Sequence, residues 1–181
     1  MSINFKGRVA IVTGGGNGLG REHCLQLAAL GAKVVVNDLG GAIDGSGTSN
    51  AQAEAVADEI RSAGGEAMAN GADITDYDQV QAMIEQAMAE WGRIDILINN
   101  AGILRDKSFS KMTPADFRKV VDVHLFGTMN CTKAVWDIMK EQGYGRILLT
   151  SSSSGIFGNF GQSNYGAAKT AMIGLMNVLH H

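Results

Sequence analysis

Proline is nearly absent from this chain, one residue in 181, and aromatic residues make up only 6%. With so little proline to end helices and strands, the 24 glycines must supply the turns and the close backbone approaches. Cysteine is almost as scarce. Cys24 and Cys131 show neither C-x-x-C nor metal-ligand spacing, so two buried thiols are expected, with no disulfide framework and no metal site. No basic cluster accompanies the net charge of −3, which argues against nucleic acid as a partner. No apolar run approaches the roughly 20 residues needed to span a bilayer, so no membrane partner is expected. The opening MSINFKGRV lacks the apolar run of a secretory leader, and the location expected from it is the cytoplasm.

What is present is an alternation of short apolar runs and helical patterns, with 45% apolar residues, enough for one domain with a sizeable core. Arg8–Thr13 reads as a buried strand, Gly18–Leu30 as a helix, and the valine-rich Lys33–Asn37 as a second strand. Gly40–Asn50 is loop by composition. Ala51–Ala63 is a helix closed by Gly64 and Gly65, Glu66–Asn70 a third strand, and Asp76 caps a helix running to Trp91. Asp95–Ile98 is a fourth strand. Thr113, Pro114 and Asp116 combine an N-cap, a proline at the first helical position and a first-turn carboxylate, for a helix to about Glu141. Arg146–Ser151 is a fifth strand and Asn164 opens a last helix. Short apolar strands separated by helices predict an α/β fold, a parallel sheet with helices on both faces.

Three features carry chemistry. Tyr165 and Lys169, four residues apart, share one helix face. A lysine ammonium there favours the phenolate. Moving a tyrosine from its usual pKa to neutrality requires roughly 3 units, about 4 kcal/mol, more than one lysine supplies. TGGGNGLG at Thr13–Gly20 lies between strand and helix, where glycines let a pyrophosphate approach the helix N-terminus. Its spacing is Gly14-x-x-x-Gly18-x-Gly20, not strict G-x-G-x-x-G. Asp38 ends the second strand, placed to accept adenosine ribose hydroxyls and to repel a 2′-phosphate, so NAD is favoured over NADP. Arg21 is a nearby cation that could tolerate the phosphate. Asp73 could reach the adenine or serve as a cap.

With NNAG at Asn99–Gly102 and the serine run before Tyr165, these motifs fall in an order that resembles the short-chain dehydrogenase/reductase family over essentially the whole chain. NDLGG at Asn37–Gly41, AGILRDKSF at Ala101–Phe109 and SGIFGNFGQSNYGAAK at Ser154–Lys169 are similar to the (3R)-hydroxyacyl-CoA dehydrogenase part of type 2 peroxisomal multifunctional enzymes and their bacterial relatives. The resemblance implies a doubly wound, Rossmann-type domain over residues 1–181 and an alcohol–ketone oxidoreductase acting on a 3-hydroxyacyl thioester or a related compound. It implies cofactor contacts from Gly14, Asn17, Gly18, Leu19 and Gly20, and from Asp38, Leu39, Asp73 and Ile74. Asn100, Ala101, Gly102, Tyr165 and Lys169 complete that set. It places the catalytic serine 13 residues before the tyrosine, at Ser152, and makes Tyr165 the general base or acid with Lys169 its partner. It also implies a homodimer or homotetramer through the last two long helices, by apolar residues such as Phe117, Val121, Leu175 and Val178.

The chain departs from the family in two places. His124 stands where many members carry a catalytic asparagine in N-x-x-G, and is a candidate to hydrogen-bond in its place. Family members also continue past this point through another strand, a substrate-covering loop and further elements. Five strands with one unpaired edge are therefore expected here. Two alternatives follow, an NADPH-linked ketoacyl reductase and a non-catalytic nucleotide-binding fragment.

Overall fold

The computed structural model describes residues 3–180. Five strands, β1 (Val9–Thr13), β2 (Lys33–Asn37), β3 (Glu66–Asn70), β4 (Ile96–Asn99) and β5 (Arg146–Leu149), form one sheet. Its order is β3-β2-β1-β4-β5 and every pairing is parallel. The helices are α1 (Gly18–Ala29), α2 (Ala51–Ser62), α3 (Tyr77–Trp91), α4 (Pro114–Val121), α5 (Gly127–Glu141), α6 (Ser153–Phe157) and α7 (Ser163–Leu179).

Strand alternation builds two cores. Ala10, Val12, Val34 and Val36 face α1 and α2, where Cys24, Val56 and Ile60 meet them. Ile11, Val35 and Leu97 point the other way, onto Val80, Met83 and Ile84 of α3 and Val135 of α5. Each such side chain contributes roughly 1.5–3 kcal/mol when fully buried, which is why central strands read as unbroken apolar runs. Both cysteines are buried and free, as expected. β3 and β5 are the edges, and β5 alternates exposed and half-buried residues.

Local chemistry fixes the ends. The Asp76 side chain accepts from Asp78 N and Gln79 N at the start of α3, and Gly92 ends that helix with φ 71°. Thr113 accepts from Asp116 N, with Pro114 in the first turn. β1, β4 and β5 differ slightly from the expected limits: Arg8 and Asp95 lie outside their strands, Asn99 joins β4, and Thr150 and Ser151 leave β5. The helix expected from Thr113 to Glu141 is interrupted by a π turn at Asp122–Phe126, which widens the rod where His124 turns inward. The short α6 starts within the serine run, capped by Ser152, runs on to Phe157, and is too brief to leave a periodic pattern.

Candidate active site

All five strands deliver the residues that follow them to one cleft of about 700 Å³: Gly14 after β1, Asp38 after β2, Asp73 after β3, Asn100 after β4 and Thr150 after β5. It lies where the strand order reverses between β1 and β4, the usual ligand crevice of such sheets.

The glycine loop is shaped by exclusion. A Cβ on Gly14, whose φ is +64°, would stand 2.8 Å from Ala101 Cα, and one on Gly20 would collide with the carbonyl of Gly14. Gly18 has φ +51° with open space beside it. Asn17 caps α1 by accepting from Gly18 N at 2.7 Å. First-turn helix amides have no intrahelical acceptor, so a side-chain-free floor meets the start of α1, where Gly14, Asn17, Gly18 and Leu19 line the cleft. Gly20 lies behind that lining and lets loop and helix touch. Such a floor, a helix N-terminus and a carboxylate at the neighbouring strand fit the phosphates and ribose of a dinucleotide.

Asp38 accepts from Gly16 N at 2.8 Å through Oδ2 and from Gly40 N at 2.7 Å through Oδ1. Each oxygen keeps a lone pair for a further donor. Arg21 is engaged elsewhere, bidentate to Glu59 at 2.7 and 2.8 Å and bonded to Glu22 at 2.8 Å. Asp73 and Ile74 line the cleft with Leu39, although Asp73 Oδ1 is also occupied by Thr75 N and Oγ1.

The NNAG segment locks β4 to the glycine loop. Asn100 Nδ2 donates to Thr13 O at 3.0 Å and Gly14 O at 3.1 Å, while Thr13 Oγ1 accepts from Asn100 N and Ala101 N, both at 3.1 Å. Thr13, not among the expected cofactor contacts, thus shapes the site through its hydroxyl, and its place at a strand end beside the glycines is the sequence signal for it.

At the other end, Lys169 Nζ lies 5.6 Å from the Tyr165 ring centroid and donates to Thr150 O at 2.6 Å, with burial lowering its pKa to about 8. His124, buried, meets Tyr165 edge-on at 5.1 Å. Its Nε2 lies 2.9 Å from Ile103 O and 3.2 Å from Ile103 N, and Nδ1 has no partner. Burial first, then the Lys169 charge, depress its pKa to about 4, so the ring is neutral near pH 7. Gly102 makes room for it, since a Cβ there would overlap Cε1. Tyr165, Lys169 and His124 all line the cleft with Ala101 and Gly102. Ser152 is not among the lining residues; its Oγ accepts from Ser154 N at 3.2 Å as the cap of α6.

A family model described as short chain dehydrogenase matches residues 8–181. The chain is 55% identical over 177 residues to peroxisomal multifunctional enzyme type 2 of Drosophila melanogaster, covering 98% of this chain and 29% of that protein. It is 52% identical to the peroxisomal hydratase-dehydrogenase-epimerase of Saccharomyces cerevisiae, covering 98% of this chain and 20% of the relative. The chain thus spans less than a third of these two relatives. A solved 7α-hydroxysteroid dehydrogenase, complexed with NADH and 7-oxo glycochenodeoxycholic acid, superposes with a TM-score of 0.86 at 34% identity, over 96% of this chain and 64% of that one.

These names correct the expected cytoplasmic location, because five matched relatives are named as peroxisomal enzymes. N-terminal hydropathy bears on secretion alone, whereas a peroxisomal address is a receptor-read signal of another kind.

Proposed function

The chain belongs to the short-chain dehydrogenase family, and on that premise we propose that it is an NAD-dependent oxidoreductase interconverting a secondary alcohol and a ketone, with a 3-hydroxyacyl thioester as substrate. The observation that carries this reading is the opening of Tyr165 and Lys169, on one face of α7, into the same cleft as the glycine loop and Asp38. A bound nicotinamide supplies the hydride acceptor, so one alcohol yields one ketone, one reduced cofactor and one proton.

The chain's own residues handle the proton and the geometry. Tyr165 Oη takes the hydroxyl proton as general base, or returns it in the reverse direction. Lys169 is still charged at pH 7, and its ammonium over the ring favours the phenolate. Ser152 Oγ, already accepting from Ser154 N, has its own hydrogen left to donate to the substrate oxygen. Neutral His124 stands in the asparagine position, holding Ile103 and the edge of the Tyr165 ring. Asp38 would accept the adenosine ribose hydroxyls and repel a 2′-phosphate, and Arg21, tied to Glu59 and Glu22, is not positioned to offset that repulsion. This favours NAD over NADP.

The described span acts as one NAD-binding unit, a homodimer or homotetramer joined through α4, α5 and α7, and the relatives' names support a peroxisomal location. The test is reduced-cofactor production from NAD and a 3-hydroxyacyl-CoA. Tyr165→Phe is expected to lower kcat by about 10²–10⁴-fold with cofactor binding retained. Turnover at the unmodified rate would refute the assignment of Tyr165.

A further inference from the structure

The loop Gly40–Asn50 is compact and pinned at its base. Gly40 N donates to Asp38 Oδ1, and Ser49 N donates to Leu39 O at 2.9 Å. Its tip turns on Ala42 N to Ser46 O at 2.7 Å and Gly45 N to Ala42 O at 2.8 Å. The tip then meets the segment that follows β4: Leu104 N donates to Ile43 O at 2.9 Å, and Arg105 Nε donates to Asp44 O at 2.8 Å. A Cβ on Gly45, at φ +79°, would stand 3.0 Å from Ile103 Cδ1. Because β1 lies between β2 and β4 in the sheet, a loop leaving β2 and bonding the segment after β4 crosses the end of β1 and its glycine loop. Ile43, Gly45, Ile103 and Leu104 line the cleft at this crossing.

Arg105 ties the crossing to the rest of the fold. Its Nη1 reaches Asp116 Oδ1 on α4 at 3.2 Å, and its carbonyl accepts from Asn164 Nδ2 at 3.0 Å. Asn164 is fully buried and immediately precedes Tyr165. Lys107 and Thr113 also bond Asp116, holding its carboxyl near pKa 2 and keeping it ionised. A guanidinium suits this place because Nε and Nη1 are separate donors in a fixed planar fork and serve a carbonyl and a carboxylate from two atoms, where an ammonium must reach both from one.

We propose that Arg105 is a positioning residue that latches the Gly40–Asn50 strap across the cleft, so that a bound nicotinamide dinucleotide leaves only when the Arg105–Asp44 bond opens. The proposal rests on the reading that the cleft takes such a cofactor.

The experiment is stopped-flow dissociation of NADH, followed by nicotinamide fluorescence, with hydrogen exchange of the strap. In the unmodified protein NADH should slow exchange at residues 42–46. Arg105→Ala and Arg105→Lys should release NADH about tenfold faster, the loss of one charge-assisted hydrogen bond. Gly45→Val disturbs the strap from its own side, leaves the Arg105 side chain intact, and should act alike. NADH binding to the unmodified protein without strap protection overturns the latch, as does release from folded Arg105→Ala at the unmodified rate. No NADH binding to the unmodified protein overturns the function proposed above instead.

Discussion

At the scale of single residues, His124 shows how burial chooses a protonation state. Its pKa is about 4 in the fold against 6.5 for an ordinary histidine, chiefly because burial takes water away from the charged ring and secondly because the Lys169 charge repels it. As pH falls from 6.5 towards 4 the unfolded chain takes up this proton before the folded one does, so stability is lost across that window. The loss reaches about 2 kcal/mol by pH 5. His124→Asn has no such proton to take up, and its urea-unfolding free energy is expected to fall by about 2 kcal/mol less between pH 7 and pH 5. Equal losses would mean the imidazole is charged or solvated. Cys24 and Cys131 illustrate the same physics: burial lifts both thiols to about 12, which leaves them inert packing.

At the scale of elements, the turn between β1 and α1 separates two reasons for glycine. Gly20 is crowded: a Cβ would strike the Gly14 carbonyl and approach Asn100 Nδ2 at 2.6 Å, and that backbone is held by the NNAG lock. Gly18 is uncrowded but has a positive φ. Gly20→Ala is therefore expected to cost about 1–3 kcal/mol and to weaken NADH binding. Gly18→Ala should cost only about 1–2 kcal/mol, from left-handed backbone strain. Urea unfolding with NADH titration checks both, and a Gly20→Ala protein that binds NADH normally would remove the lock from the cofactor argument. The rod Pro114–Glu141 adds a second lesson. Its helical pattern was legible, and the π turn at Asp122–Phe126 was not, because that turn answers to distant groups. His124 bonds Ile103, and Gly127 fits under Ile74, where a Cβ would meet Cδ1 at 2.5 Å.

At the scale of the whole molecule, one doubly wound sheet carries the cleft at its centre and apolar helix faces at its side. Leu175 and Leu179 of α7 form a small groove with Met129 and Trp136 of α5, and Val178 next to it is 73% exposed. A face of that kind supports the dimer proposed above. Val178→Glu, a change at the surface and not in the core, is expected to halve the mass seen by sedimentation while leaving the far-ultraviolet circular dichroism unchanged. An unaltered mass would place self-association elsewhere.

The sequence by itself determined the order of strands and helices, the caps at Asp76 and Thr113, the pairing of Tyr165 with Lys169 on one face, and the gathering of glycines after β1. These depend on periodicity and on neighbours within a turn, which a linear pattern records. The tertiary structure alone decided that Thr13 ties the glycine loop to NNAG, that the strap reaches Arg105, and that Asn164 holds the Arg105 carbonyl. Those contacts join residues 61 apart for Arg105 and Asp44, and 59 apart for Asn164 and Arg105. Partners so distant meet only after the parallel sheet has set which strand ends adjoin, and no local spacing encodes them.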